Sequence, residues 1–192
     1  MKKIPLVVVA GATASGKTSL AIQIAKEFNG EVVSADSMQI YKYMDIGTAK
    51  PTIEEMEGIP HHLIDIVTPD VNFSVADYCD MAHSVISDIT KRGKLPILTG
   101  GTGLYINSVV NDVEFEEADK DEKLRTELLE LAKENGAEAL HKILEEIDPV
   151  SAEKIHANNI KRVIRAIEVF KTTGEKLSEH NEKSAEIESR YN

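Results

Sequence analysis

A second cysteine is absent from this 192-residue chain. Cys79, with no partner, cannot close an internal disulfide, which suits a reducing compartment, and its apolar helical setting reads as a small buried hydrophobe. No apolar run is long enough to span a bilayer, so a membrane-spanning helix is excluded. Met1-Lys2-Lys3 leads straight into a strand, so no secretory leader is expected. Internal repeats and low-complexity segments are missing as well, which excludes solenoid architectures. Basic side chains are scarce: 22 Lys and Arg stand against 33 Asp and Glu, a net charge of −11. Taken alone, that balance argues against a nucleic-acid partner. The imbalance is uneven, with 9 basic against 12 acidic side chains in residues 1–110 and 13 against 21 in residues 111–192. A local patch can still bind phosphate in an acidic protein. Hydrophobic residues make up 42% of the chain, enough for the core of one large domain or two small ones.

What is present begins with the octapeptide Gly11-Ala12-Thr13-Ala14-Ser15-Gly16-Lys17-Thr18, a full match to G-x-x-x-x-G-K-[ST]. It follows the apolar run Ile4 to Ala10 and opens a helix expected from Lys17 to Phe28. The glycines let the backbone curl so that N–H groups point inward, and the helix N-terminus adds its positive end. Lys17 supplies a mobile ammonium, and the Thr18 hydroxyl is a candidate ligand for Mg²⁺. A loop of this kind holds a diphosphate or triphosphate.

Short apolar strands then alternate with amphipathic helices, as in a parallel α/β sheet. Strands are expected at Glu31–Ala35, Leu63–Val67 and Leu95–Thr99. A helix is expected from Val75 to Arg92, capped by Ser74 with Asp77 at the third position and stopped at Gly93. Beyond Asn111 the chain is charged and strand-poor. An acidic linker (Asp112 to Glu122) leads to helical patterns around Leu124–Ala132, at Ala137–Ile147, Ser151–His156 and Ile160–Thr173. The tail from Glu175 to Asn192 is polar and weakly patterned. The division expected is therefore residues 1–110 as a phosphate-binding core and residues 111–192 as an all-helical part.

Ligands in open α/β sheets sit beyond the carboxyl ends of the strands. The phosphate loop, Asp36 with Ser37, and Gly100-Gly101-Thr102 meet that rule. Asp36 is either a loop Asp capping a turn, a Mg²⁺ ligand or a general base. Thr102 sits between glycines, where its hydroxyl can approach a ligand, although a tight strand-to-helix turn explains the glycines equally well. His61 and His62 lack metal-ligand partner spacing and are read as positional. Lys161 and Arg165 share a helix face with Arg162 beside them; a solvated face paired with Glu168 is the alternative. Ile160, Val163, Ile164, Ile167 and Phe170 form the apolar stripe of that helix.

Six segments together carry a resemblance: G-A-T-A-S-G-K-T, S-A-D-S-M-Q-I-Y-K-Y-M-D-I-G-T-A-K-P, P-H-H-L-I-D-I, G-G-T-G-L-Y-I, I-D-P and N-N-I-K-R-V-I-R-A-I-E-V. In this order the chain resembles the bacterial tRNA dimethylallyltransferases from Gly11 to about Gly174. General P-loop kinases do not share the stretch from Asp36 to Pro51. The resemblance implies a P-loop NTPase-like parallel sheet with an all-helical insertion. The implied reaction moves a dimethylallyl group from dimethylallyl diphosphate to the exocyclic amine of an adenosine beside the tRNA anticodon. It further implies that residues 11–18 hold the diphosphate or a nucleotide such as ATP, with Mg²⁺ on Thr18. By the same resemblance Asp36 takes the amine proton and Thr102 hydrogen-bonds at the reacting centre. Asp36, Ser37, Met38 and Gln39, and the stretch Lys161, Arg162, Val163, Ile164 and Arg165, would contact the anticodon stem-loop. A cytoplasmic, monomeric enzyme is the expectation. Family members continue beyond the point where this sequence stops; their further portion is expected to complete the sheet and add an arginine near the diphosphate, leaving this length alone with weak or absent turnover. Two other readings remain: a kinase or an isopentenyltransferase acting on a free adenine nucleotide, and a non-catalytic binding fragment.

Overall fold

A computed structural model describes residues 3–113 and 121–192; part of the acidic linker, residues 114–120, lies outside them. Two compact units are present, one running through residue 114 and taking in residues 187–192, the other spanning residues 115–186.

The first unit holds four parallel strands: β1 (Val7–Ala10), β2 (Gly30–Ser34), β3 (His61–His62) and β4 (Leu95–Gly100). Their spatial order is β1-β4-β2-β3. Helix α1 (Lys17–Glu27) carries the chain from β1 past one position to β2, and β4 fills that position. Val7 and Val32 consequently both sit opposite Ile97. Every residue of β2 is buried, as a central strand of a parallel sheet requires. Helix α2 (Val75–Lys91) begins at a capping box in which the Ser74 hydroxyl accepts from Asp77 N while the Asp77 carboxylate accepts from Ser74 N. Its buried stripe of Tyr78, Cys79, Ala82, Ile86 and Ile89 follows helical spacing. Helix α3 (Gly103–Val110) follows β4 directly. The Tyr78 ring stacks on Tyr105 of α3 at 4.0 Å, and its hydroxyl donates to Ser34 O, so both helices are fixed to the end of β2.

Leu63–Val67 is not a continuous strand. Leu63 and Asp65 take left-handed φ values of 61° and 56°, which break an extended path, and only Val67 bridges, to Tyr41.

The second unit contains α4 (Glu122–Asn135), α5 (Ala137–Ile147), α6 (Pro149–Lys154), α7 (Ile160–Thr173) and α8 (Leu177–Glu186). Leu128, Leu140, Leu144, Val163, Ile164 and Ile167 build its core. Asp148 is 1% exposed and caps α6: it accepts from Ser151 N and Oγ, and also from Ser178 N and Oγ of α8. Burial pushes the Asp148 pKa up, but these four donors win and hold it below its ordinary value. The same contacts explain why α8 was unreadable in a polar tail. Its anchor is a buried serine–carboxylate pair and not an apolar stripe. The helical part also ends earlier than residue 192. Residues 187–192 return to the first unit, beside the segment before β1, where Ile4 N donates to Arg190 O and Asn192 N donates to Ile4 O.

Candidate functional site

Among the connections that leave the carboxyl edge of the sheet are the phosphate loop after β1, residues 35–51 after β2, and the Gly101–Thr102 turn after β4. The phosphate loop turns through Ala14 at φ 62° and Gly16 at φ 81°, the latter a left-handed position that glycine occupies without strain. A side chain at Gly11 would meet Ser15 Oγ at 3.0 Å. Lys17 Nζ donates to Ala12 O at 2.5 Å, which holds its ammonium over the loop. Thr18 is exposed in the first turn of α1, and among the described residues its hydroxyl makes no hydrogen bond.

The β2 and β4 connections touch through backbone. A Cβ at Gly100 would lie 2.1 Å from Ala35 O and 2.4 Å from Ala35 C, so only glycine allows this approach. Ala35 N donates to Thr99 O, and Thr102 N donates to Ala35 O. Next along, Ser37 N donates to Thr102 Oγ1 at 2.9 Å, and that hydroxyl donates to Ser37 Oγ at 3.2 Å. The structure therefore joins Thr102 to the Asp36–Ser37 turn, an arrangement that orients Asp36. Asp36 Oδ1 accepts from Met38 N and Gln39 N, at 2.9 and 3.3 Å. Its second oxygen makes no hydrogen bond among the described residues.

Asp36 lines a cavity of about 530 Å³ with Thr13 of the phosphate loop, Met38, and Tyr43 to Ala49. One carboxylate oxygen is thus anchored by backbone donors, and the cavity brings the carboxylate together with the phosphate loop. Gln39, expected at the same contact surface, faces protein: its Oε1 accepts from Ser34 Oγ and its Nε2 donates to Thr48 O and Ala49 O.

Lys50 escaped the sequence reading. Its side chain is 6% exposed and its ammonium reaches Tyr41 O, Asp45 Oδ1 and Asp65 Oδ1 at 3.0, 2.6 and 2.6 Å. Burial pushes its pKa down, yet the two carboxylates raise it beyond its ordinary value, so the ammonium stays charged. Asp45 and Asp65 lie on opposite sides of Lys50 in sequence with no helical or strand spacing, so no periodicity signals the cluster.

His62 Nε2 lies 2.7 Å from Glu31 Oε2, and His61 Nδ1 lies 2.8 Å from Ile59 O, so both rings sit in protein contacts. Glu31 also takes both Arg92 nitrogens and Lys94. Cys79 is buried, and burial pushes its thiol up to about 12, which removes it as a nucleophile. Among the described residues no cluster of His, Cys, Asp and Glu has the form of a metal site. No helix there is long and apolar enough to cross a membrane.

In the second unit, Lys161 and Arg162 are exposed in the first turn of α7. Arg165 donates to Glu168 Oε2 at 2.8 Å, so the pairing weighed from sequence is present. Arg125 takes Glu168 through Nε and Nη2. Val163 and Ile164 are 0% and 5% exposed; their side chains belong to the helical core and present no surface to a partner.

The model of the IPP transferase family matches residues 39–192. A tRNA dimethylallyltransferase of Acetivibrio thermocellus is 59% identical over 187 residues, covering 97% of this chain and 60% of its own length. One from Bacillus cytotoxicus is 58% identical over 178 residues, covering 93% of this chain and 56% of its own. Among solved structures, the tRNA isopentenylpyrophosphate transferase of Bacillus halodurans superposes with a TM-score of 0.60 at 52% identity, covering 90% of this chain and 57% of that one. A eukaryotic dimethylallyltransferase acting on tRNA superposes at 0.80 with 34% identity, covering 97% and 46%. The chain spans about 60% of the length of the curated relatives it matches. On the family match across most of its length, this chain belongs to the IPP transferase family.

Proposed function

We propose that the protein carrying this chain transfers a dimethylallyl group from dimethylallyl diphosphate to the exocyclic amine of an adenosine in a tRNA anticodon loop. The observation that carries this reading is the shared cavity: Thr13 of the phosphate loop and the Asp36 carboxylate line the same 530 Å³ space. A kinase needs the first feature; a carboxylate aimed at an incoming amine is the addition.

In this mechanism the loop and Lys17 hold the diphosphate, and the ammonium meets the charge that grows on the leaving group. Mg²⁺, when bound, would neutralise part of that charge. The exposed Thr18 hydroxyl, a hard oxygen in the first turn of α1, fits such an ion and would hold it. The allylic C–O bond breaks with its electron pair leaving on pyrophosphate, and the adenine nitrogen forms the new C–N bond. The amine proton passes to Asp36, whose second oxygen carries no other hydrogen bond among the described residues. Met38 N and Gln39 N hold the other oxygen of the carboxylate, and Thr102 ties down the adjoining Ser37.

The acceptor base must leave its stack to reach Asp36, and anticodon loops present such bases. Lys161 and Arg162, at the positive end of α7, suit the stem phosphates. The lone buried thiol and a tRNA substrate support a cytoplasmic site of action, and we place the enzyme there as a monomer.

The test incubates the chain with dimethylallyl diphosphate, Mg²⁺ and an anticodon stem-loop and analyses the nucleosides by mass. A prenylated adenosine that Asp36→Asn forms about 10²–10⁴-fold more slowly, at unchanged diphosphate affinity, supports the reading. Equal rates remove Asp36 as the base. Diphosphate and RNA binding without product favour the binding-fragment reading for this length.

A further inference from the structure

Three large apolar side chains face solvent from the wall of the Asp36 cavity: Met38, Tyr43 and Ile46, which are 44%, 81% and 99% exposed. Tyr43 stands apart from the other two because of its backbone. Its φ is 68°, a left-handed value that a bulky residue adopts at a cost and that glycine adopts freely. Among the described residues no group hydrogen-bonds its hydroxyl and no ring stacks on it. Neither core packing nor a polar contact accounts for an aromatic residue here.

The ring nevertheless stands on a fixed base. Lys50 holds Tyr41 O, Asp45 and Asp65 together, Gln39 holds Thr48 O and Ala49 O, and the Thr48 hydroxyl donates to Met44 O. An exposed aromatic ring is therefore carried on an anchored segment of the wall of the cavity that Asp36 lines.

We infer that Tyr43 is a stacking platform for the unpaired nucleobase next to the acceptor adenosine; the inference rests on the RNA-acceptor reading above. An unpaired base offers a π-face that matches an open aromatic ring and needs no hydrogen bond from it. The isoprenoid tail is the wrong occupant. It must be sheltered from water beside the diphosphate, whereas this ring is four-fifths exposed. Met38 and Ile46 extend the apolar rim under the edges of the stacked base.

The experiment uses anticodon stem-loop RNAs carrying 2-aminopurine on the 5′ or the 3′ side of the acceptor, with the unsubstituted chain and with Tyr43→Phe, Tyr43→Ala and Tyr43→Gly. Expected results are quenching at one of the two positions, retained by Tyr43→Phe, and RNA affinity about 10-fold weaker in Tyr43→Ala and Tyr43→Gly. Pyrophosphate affinity stays the same in all four. Tyr43→Gly should melt no lower than the unsubstituted chain, since it relieves the left-handed backbone, so lost RNA binding cannot be put down to unfolding. RNA binding equal in all four overturns the inference while leaving the acceptor reading intact. Tyr43→Phe as weak as Tyr43→Ala overturns it too, because a hydroxyl contact and not the ring face would then matter. No RNA binding by the unsubstituted chain, with pyrophosphate still bound, removes the acceptor reading and this inference together.

Discussion

The connections that follow β1 and β2 at the carboxyl edge of the sheet are built on opposite plans. The phosphate loop is exposed along residues 11–16, and among the described residues Lys17 Nζ to Ala12 O is the one side-chain hydrogen bond that spans it. The connection after β2 is latched by Gln39, Thr102 and Lys50, and a backbone contact at Gly100 fixes its root. The difference teaches where each kind of information sits. A loop whose proposed ligand meets its own N–H groups needs the right backbone angles and little else. A loop proposed to aim one carboxylate is held by several side chains from elsewhere. Substitutions should therefore separate the two: the first loop tolerates them in stability, the second does not.

The largest effect expected is from Gly100→Ala. The added methyl would fall 2.1 Å from Ala35 O, and neither backbone can withdraw without tearing the β2–β4 register. A loss of about 3 kcal/mol or more is expected in urea unfolding. A variant as stable as the parent would show that the root of the Asp36 connection is soft, and the contrast between the two loops would fail there.

Lys50→Met comes next. It keeps the buried stem but leaves Tyr41 O without its donor and Asp45 and Asp65 side by side without a cation. Both carboxylates are half-exposed and can be rehydrated, which limits the cost to about 2 kcal/mol. Faster hydrogen exchange confined to residues 41–51 should accompany it. Unchanged exchange there would mean that Gln39 and Thr102 hold the connection without Lys50.

A gentler way to probe the held side is pH. Glu31, at the start of β2, is 2% exposed, and the Arg92 guanidinium beside it holds its carboxyl well below the usual carboxylate range, with Lys94 and His62 adding to the effect. A carboxylate depressed in the folded state contributes stability that is complete above its unfolded value of 4.5 and is lost as pH falls from there toward the folded value. Unfolding free energy should drop as pH is lowered below about 4.5, and Glu31→Gln should flatten that slope while lowering stability at neutral pH. A slope identical in the two proteins would move the acid-sensitive group elsewhere, with Glu168 the next candidate: burial pushes it up, but Arg125 and Arg165 pull it below its ordinary value.

What the sequence made legible follows the same division. The phosphate loop, α2 with its capping box and the stripe of α7 are local signals, each read within one turn or one helix. The polar stretch 177–186 hid α8 because its anchor, Ser178 on Asp148, joins residues thirty apart. Lys50 hid for the same reason, since its partners Asp45 and Asp65 meet only in the fold. Leu63–Val67 misled through its apolar letters, as a run of branched residues cannot announce two left-handed turns. Asp36 was legible as a position beyond a buried strand; that Thr102 and Gln39 face protein contacts could be known only once β4 lay between β1 and β2.

The smallest stability change, and the sharpest statement of the contrast, belongs to Lys17→Ala. Its ammonium ties only to Ala12 O in an exposed loop, so unfolding free energy should stay within about 0.5 kcal/mol of the parent. Pyrophosphate binding, followed by calorimetry, should fall by about 10-fold or more if the proposed contact of this ammonium with the anion is made. Loss of fold in this variant would mean that the lysine is a structural tie like Lys50, and that the loop read most easily from sequence is held together by the same means as the one that was not.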